Sequence, residues 1–248
     1  EEPEELREAA FVAMQGLGEA MRPFVPRLCE CLRSPEFEGD VFSLLNLLEE
    51  LGSVATEALP TLRRVLARAE KDEDGLEILD SVVDALMKIP GSERAALLVR
   101  VTRCGGVDVP DKAAEAVEEL EPEEIASVLD EICDALEEIS PSNLHNRKIN
   151  EDNDEVSGGD LYVDQVDLGM DLRATLLDAL KKIGKRASPA IPTIEKLLKD
   201  EVEIVRTSAL EALAAIGQKA IPALRRATRS TYEDVQEGAE AALDELEE

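Results

Sequence analysis

The side chains best suited to chemistry are scarce in this sequence, and their spacing argues against a catalytic centre. His145 is the only histidine and stands in a stretch of turn formers, which leaves no Ser/His/Asp or Cys/His constellation to assemble. Cys29 and Cys31 form a C-x-C on a predicted helix, where positions two apart point to different sides. Cys104 and Cys133 lie far along the chain, so the four cysteines are too scattered for a disulfide framework and lack the further ligands of a zinc site. They read as small buried residues in a reducing compartment. Asn150, Asp152 and Asp154 have the alternate spacing of a calcium loop, but Glu155 stands where glycine is needed and Leu161 where the bidentate glutamate belongs. No phosphate-binding loop or H-E-x-x-H occurs, and Gly105-Gly106 and Gly158-Gly159 read as turns. Carboxylates abound, yet nothing marks one pair as acid and base. The expectation is a protein that is not an enzyme, with no catalytic residue, no metal and no cofactor.

The elements that would position any site follow from composition. The chain has 248 residues, 44% of them hydrophobic, enough for a sizeable core without disulfide or metal support. Aromatics are 2% and Trp is absent, so Ala, Leu, Ile and Val must fill that core, which suits close helix packing. Fifty-six acids against 27 bases give a net charge of −29, the wrong sign for a general nucleic-acid binder. No apolar run reaches the roughly 18–20 residues of a membrane span. No basic-then-apolar leader opens the chain, which begins at Glu1, and a cytoplasmic setting is the expectation.

Aligning the chain on itself reveals a repeat. Leu17-Gly18, Leu51-Gly52, Ile183-Gly184 and Ile216-Gly217 share one register, 34 residues apart in the first pair and 33 in the last. Eight residues after the glycine come Val25-Pro26, Leu59-Pro60 and Ile191-Pro192, with Ile221-Pro222 three residues earlier than that rule. Eleven residues before it, three copies carry Leu6-Arg7, Leu172-Arg173 and Val205-Arg206. Between Val202 and Gly217, Val205, Ala209, Leu210, Leu213 and Ile216 fall at helical spacing. The glycine then stops that helix and the proline starts a second. Each such pair leaves an apolar face that only a stacked neighbour can cover.

The stretches "VRTSALEALAAIGQKAIPAL" (205–224) and "LRATLLDALKKIGKRASPAIPTI" (172–194) resemble HEAT repeats, specifically the short bacterial form named for similarity to phycobilisome lyases. "LGSVATEALPTL" (51–62) and "LGEAMRPFVPRL" (17–28) carry the resemblance more loosely. It implies that Arg7, Arg173 and Arg206 pair with an acid in a neighbouring repeat. It also implies an alternative role as a bilin lyase or chaperone acting on a client protein.

The reading is all-α: a right-handed α-solenoid of about six antiparallel helix pairs plus a terminal helix. First (A) helices are expected at 3–17, 36–51, 74–89, 111–120, 169–183 and 202–216, with the terminal helix at 231–247. Second (B) helices are expected at 22–33, 55–69, 91–103, 122–139, 189–199 and 219–229. N-terminal repeats would occupy 1–139, an acidic flexible insertion 140–168, and C-terminal repeats of the same solenoid 169–248. The A helices are acidic and most B helices basic, and B helices generally line the concave surface of a solenoid. Arg63, Arg64, Arg68, Arg100, Lys196, Arg225, Arg226 and Arg229 therefore form a candidate partner-binding stripe. The function expected is a non-catalytic scaffold holding a protein or peptide of mixed or basic charge, with no nucleic acid and no membrane as partner.

Overall fold

Four of the A helices run into a glycine whose backbone other residues avoid. The glycines in shared register, Gly18, Gly52, Gly184 and Gly217, all have positive φ, between 49° and 79°. The Gly52 N–H donates to the carbonyls of Leu48 and Glu49, and the Gly217 N–H to those of Leu213 and Ala214. A 3-10 turn follows each glycine: Gly18–Phe24, Gly52–Ala58, Gly184–Ala190 and Gly217–Ala220. The B helix then opens with Pro26, Pro60, Pro192 or Pro222 in its first two positions, where a missing N–H costs nothing.

The computed structural model describes residues 12–14, 16–34, 40–72, 75–104, 108–139 and 160–247, with side chains in the last stretch from 172 onward. In chain order the helices are α1 (Val25–Arg33), α2 (Val41–Leu51), α3 (Leu59–Ala69), α4 (Leu76–Lys88), α5 (Arg94–Val101), α6 (Asp108–Glu119), α7 (Pro122–Ser127), α8 (Leu129–Glu138), α9 (Asp160–Ile183), α10 (Ile191–Leu197), α11 (Glu203–Ile216), α12 (Ile221–Ala227) and α13 (Glu233–Glu247). The described residues contain no strand, and the architecture is an all-α solenoid. They fall into two compact units, 1–109 and 110–248. In the first, α2 packs on α4, α1 on α3, and α3 on α4. In the second, α9, α11 and α13 pack in succession, with α10 against α11 and α12 against α13. Because α9 also packs on α7 and α8, the helices on either side of the expected insertion share one unit.

The core is aliphatic, as the shortage of aromatics requires. Leu45, Leu47 and Leu48 of α2, Val82, Val83, Ala85 and Leu86 of α4, and Leu176, Leu177 and Leu180 of α9 are fully buried. Helix α11 is covered on two sides, burying Val205, Ala209, Ala212, Leu213 and Ile216 together with Leu210. Gly238 lets α13 approach it, since a Cβ there would lie 2.6 Å from Leu210 Cδ1.

Three of the differences between structure and sequence expectation bear on how the elements begin or break. The helix expected at 169–183 begins at Asp160, so residues 160–168 of the expected insertion are helical. The B helix expected at 55–69 begins at Leu59, the four residues before it belonging to the 3-10 turn. The helix expected over 122–139 breaks at Val128, which has φ −120° and ψ 25°. Ser127 explains the break: its hydroxyl donates to the Glu124 carbonyl at 2.7 Å, the acceptor that the Val128 N–H would otherwise use. That N–H turns to Ile125 instead, at 3.2 Å. The start of α7 matches expectation, with Glu121 and Glu124 forming a capping box around Pro122. Residues 3–11 of the first expected A helix and residues 140–159 lie outside the described residues.

Gly184 tests the role of the register glycine. Its φ is +54° and an added Cβ would meet the Ala215 carbonyl at 3.3 Å. Gly184→Ala is expected to lose about 1–2 kcal/mol in chemical denaturation. Gly16→Ala, at an exposed helical position with open space around it, should leave stability unchanged or raise it by up to about 1 kcal/mol.

Candidate functional site

The proline that opens α3, α10 and α12 gives their solvent-facing residues a common register. Three and four positions later stand Arg63 and Arg64, Glu195 and Lys196, and Arg225 and Arg226. All of these but half-buried Glu195 are exposed. Of the candidate cations, Arg63, Arg64 and Arg68 lie on α3 and Arg100 on α5 in the first unit, and Lys196 on α10, Arg225 and Arg226 on α12, and Arg229 just beyond it in the second.

Five of those cations are engaged with acids. Arg63 lies 3.6 Å from Glu93, 30 residues on in sequence. Arg100 donates to both carboxylate oxygens of Glu70, its Nε at 2.8 Å, and this pair too is separated by 30 residues. Arg226 donates to both oxygens of Glu195, at 2.6 and 2.7 Å, across 31 residues. Lys196 reaches Glu137 at 2.7 Å and Arg225 reaches Glu247 at 2.9 Å. The A-helix side repeats the pattern, with Lys181 of α9 bonded to Glu211 of α11 at 2.7 Å. These pairs tie one helix pair to the next. Arg64, Arg68 and Arg229 are exposed and make no ion pair with a described residue.

A buried ladder runs through the second unit. Arg173 on α9 is fully buried and pairs with the carboxylate of Asp200, itself only 7% exposed in its side chain. Burial pushes the Arg173 pKa down from its ordinary value, and Asp200 acts in the opposite sense. The other Asp200 oxygen accepts the Val202 N–H at 3.0 Å, and its carbonyl accepts Arg206 Nη1 at 2.9 Å. Arg206 then pairs with Asp234 at 2.8 Å and lies 4.1 Å from the centre of the Tyr232 ring. Arg173 and Arg206 therefore hold the inter-repeat partners that the resemblance implied, while Arg7 lies outside the described residues.

The partner acids were not legible in sequence, although an offset of about 30 residues between cation and acid was there to be found. Cys29 and Cys104 are buried and Cys31 and Cys133 half-buried, all with free thiols. Burial raises the thiol pKa of Cys29 and Cys133. Among the described residues no group of three or more His, Cys, Asp or Glu side chains is placed to hold a metal. None of the described helices is long and apolar enough to cross a membrane. His145 and the Asn150, Asp152, Asp154 segment lie outside the described residues.

The ladder and the glycine register place the most regular part of the chain between α9 and α13. Residues 170–244 match the family model for HEAT repeats. No curated protein is matched by the chain. Among solved structures, it is similar to a computationally designed armadillo repeat protein for modular peptide recognition, at 19% identity over 89% of this chain and 98% of that one, with a TM-score of 0.36. It is similar to the karyopherin Kap121p bound to the extreme C-terminus of the phosphatase Cdc14p, at 14% identity over 98% of this chain and 31% of that one, with a TM-score of 0.34. It is also similar to human deoxyhypusine hydroxylase, at 18% identity over 94% of this chain and 99% of that one, with a TM-score of 0.33. The all-α solenoid architecture is carried by the helices themselves and by the match of 170–244 to the HEAT-repeat model.

The exposed pairs make stability depend on pH. Hydrogen bonds from Arg226, Lys196 and Arg186 hold the carboxyls of Glu195, Glu137 and Glu123 below the ordinary glutamate value of 4.5. A depressed carboxylate stabilises the fold above its unfolded value, and that contribution disappears as pH falls through the folded value. The variant Glu123→Gln/Glu137→Gln/Glu195→Gln should therefore melt below wild type at pH 7, and the gap should close as the pH is lowered past about 4.5. Relief of general repulsion opposes this effect, but it acts over distances screened within about 10 Å, whereas these pairs are in contact.

Proposed function

We propose that the chain is a non-catalytic interaction scaffold that holds a protein or peptide segment against the concave side lined by its B helices. A helix-pair solenoid offers an extended surface because each repeat contacts only its neighbours. The observation that carries the reading is the division of labour among the B-helix cations. Arg63, Arg100, Lys196, Arg225 and Arg226 are occupied by acids of the chain itself. Arg64 and Arg68, one turn apart on α3, and Arg229 are left for a partner. A surface on which cations alternate with Glu70, Glu93, Glu137 and Glu195 suits a segment of mixed charge better than a purely acidic one. Arg64, Arg68 and Arg229 would steer and orient the partner's carboxylates.

Arg64→Glu/Arg68→Glu/Arg229→Glu breaks none of the ion pairs described above, so its melting temperature should match wild type. Immobilised wild-type protein should enrich a partner from lysate of the source organism, and the triple variant should lose it. Equal capture by the two would remove the B-helix surface from consideration. The alternative, bilin placement on a client cysteine, demands a change in visible absorption on mixing with bilin and apo-phycobiliprotein; the scaffold reading expects none.

A further inference from the structure

One surface of the first unit brings carboxylates together with exposed apolar side chains. A shallow cleft of about 530 Å³ is lined by Phe42 near the start of α2, by Leu76, Glu77 and Asp80 in the first turns of α4, and by Asp108 and Val109 at the start of α6. Phe42 is 36% and Leu76 43% exposed, in a chain with only four Phe, while the bulk of its Leu is buried. The first turns of these helices thus bring two large exposed apolar side chains to one cleft with three carboxylates and, among the described residues, no Lys or Arg in its lining. Glu77 and Asp108 make no ion pair with a described residue, unlike Glu70, Glu93, Glu137 and Glu195.

Acids in the first turn of a helix are ordinarily explained by the helix dipole. That explanation accounts for Glu77 and Asp108 but not for the exposure of Phe42 and Leu76 beside them, where burial would be favourable. Apolar floor and acidic rim together select one kind of occupant. An acidic segment would be repelled, and a purely polar basic one would leave Phe42 and Leu76 in water. We propose that this cleft docks a segment of a partner protein that sets a Lys or Arg beside a large aliphatic or aromatic side chain. The apolar side chain lies on Phe42, Leu76 and Val109, and the cation reaches Glu77 and Asp108. This surface is separate from the B-helix stripe, and neither proposal needs the other.

The test uses fluorescence anisotropy on the full chain at physiological salt, with two short labelled peptides. One alternates Lys with Leu, and the other alternates Lys with Ser and controls for general attraction to an acidic protein. The variants are Phe42→Ser/Leu76→Ser and Glu77→Gln/Asp108→Asn. Both residues of the first pair are already solvent-exposed, and the second pair replaces carboxylates by amides of the same shape. Wild type should bind the Lys-Leu peptide, and each variant should bind it on the order of tenfold more weakly. Phe42→Ser/Leu76→Ser should leave the weaker Lys-Ser binding unchanged. Either variant binding the Lys-Leu peptide as wild type does would overturn the proposal, as would wild type failing to prefer it over Lys-Ser.

Discussion

A guanidinium buried without solvent contact is unstable unless a carboxylate meets it with good geometry, and the second unit is organised around that requirement. Arg173 cannot move without losing Asp200, and Asp200 cannot move without releasing Val202 and Arg206. One residue in the turn between repeats therefore fixes the preceding A helix, the start of the next, and the arginine that continues the ladder. Arg206 repeats the arrangement with Asp234, under the ring of Tyr232. Hydrophobic burial drives the stacking of helices but is indifferent to small slips, particularly where the faces are Leu and Ala. Directional charge pairs supply what burial does not: a single register between successive helices.

The same pairing governs the surface. With 56 acids and 27 bases, cations are scarce, and many are committed to acids one repeat away. Taken singly, such exposed pairs contribute little. Repeated at offsets of 30 or 31 residues, they link α3 with α5, α9 with α11 and α10 with α12. The basic character of the B helices is thus chiefly internal, and the capacity to recognise something else is left to the few charges and apolar side chains that the repeat does not use. That is why the proposed binding surfaces rest on Arg64, Arg68 and Arg229 in one case and on Phe42 and Leu76 in the other.

Much of the architecture was legible because it depends on residues with no substitute. Gly52, Gly184 and Gly217 stand where a positive φ is needed, and Pro60, Pro192 and Pro222 where a helix can start without an N–H, so register follows from spacing alone. The arginines at 173 and 206 were visible for a similar reason: a charge in an apolar stripe must have a buried partner. Local competition was not legible. Nothing in hydrophobic periodicity announces that the Ser127 hydroxyl takes the carbonyl needed at Val128, or that α9 begins at Asp160. Nor does a stripe of arginines reveal that Glu70, Glu93 and Glu195 already answer it, because those contacts cross between repeats. The sequence shows where the cations stand on the B helices but not which of them are held by acids of the chain itself.

The central claim is that the buried Arg–Asp ladder sets the register of the repeats, and Asp200 is the place to measure it. Asp200→Asn keeps the acceptor for the Val202 N–H and removes the charge that Arg173 faces, so denaturant unfolding of this variant isolates the pairing. The account predicts a loss of about 3–5 kcal/mol, much of it recovered in Arg173→Met/Asp200→Asn, where no buried charge is left alone. Stability of Asp200→Asn within about 0.5 kcal/mol of wild type, the range of an ordinary surface substitution, would contradict it.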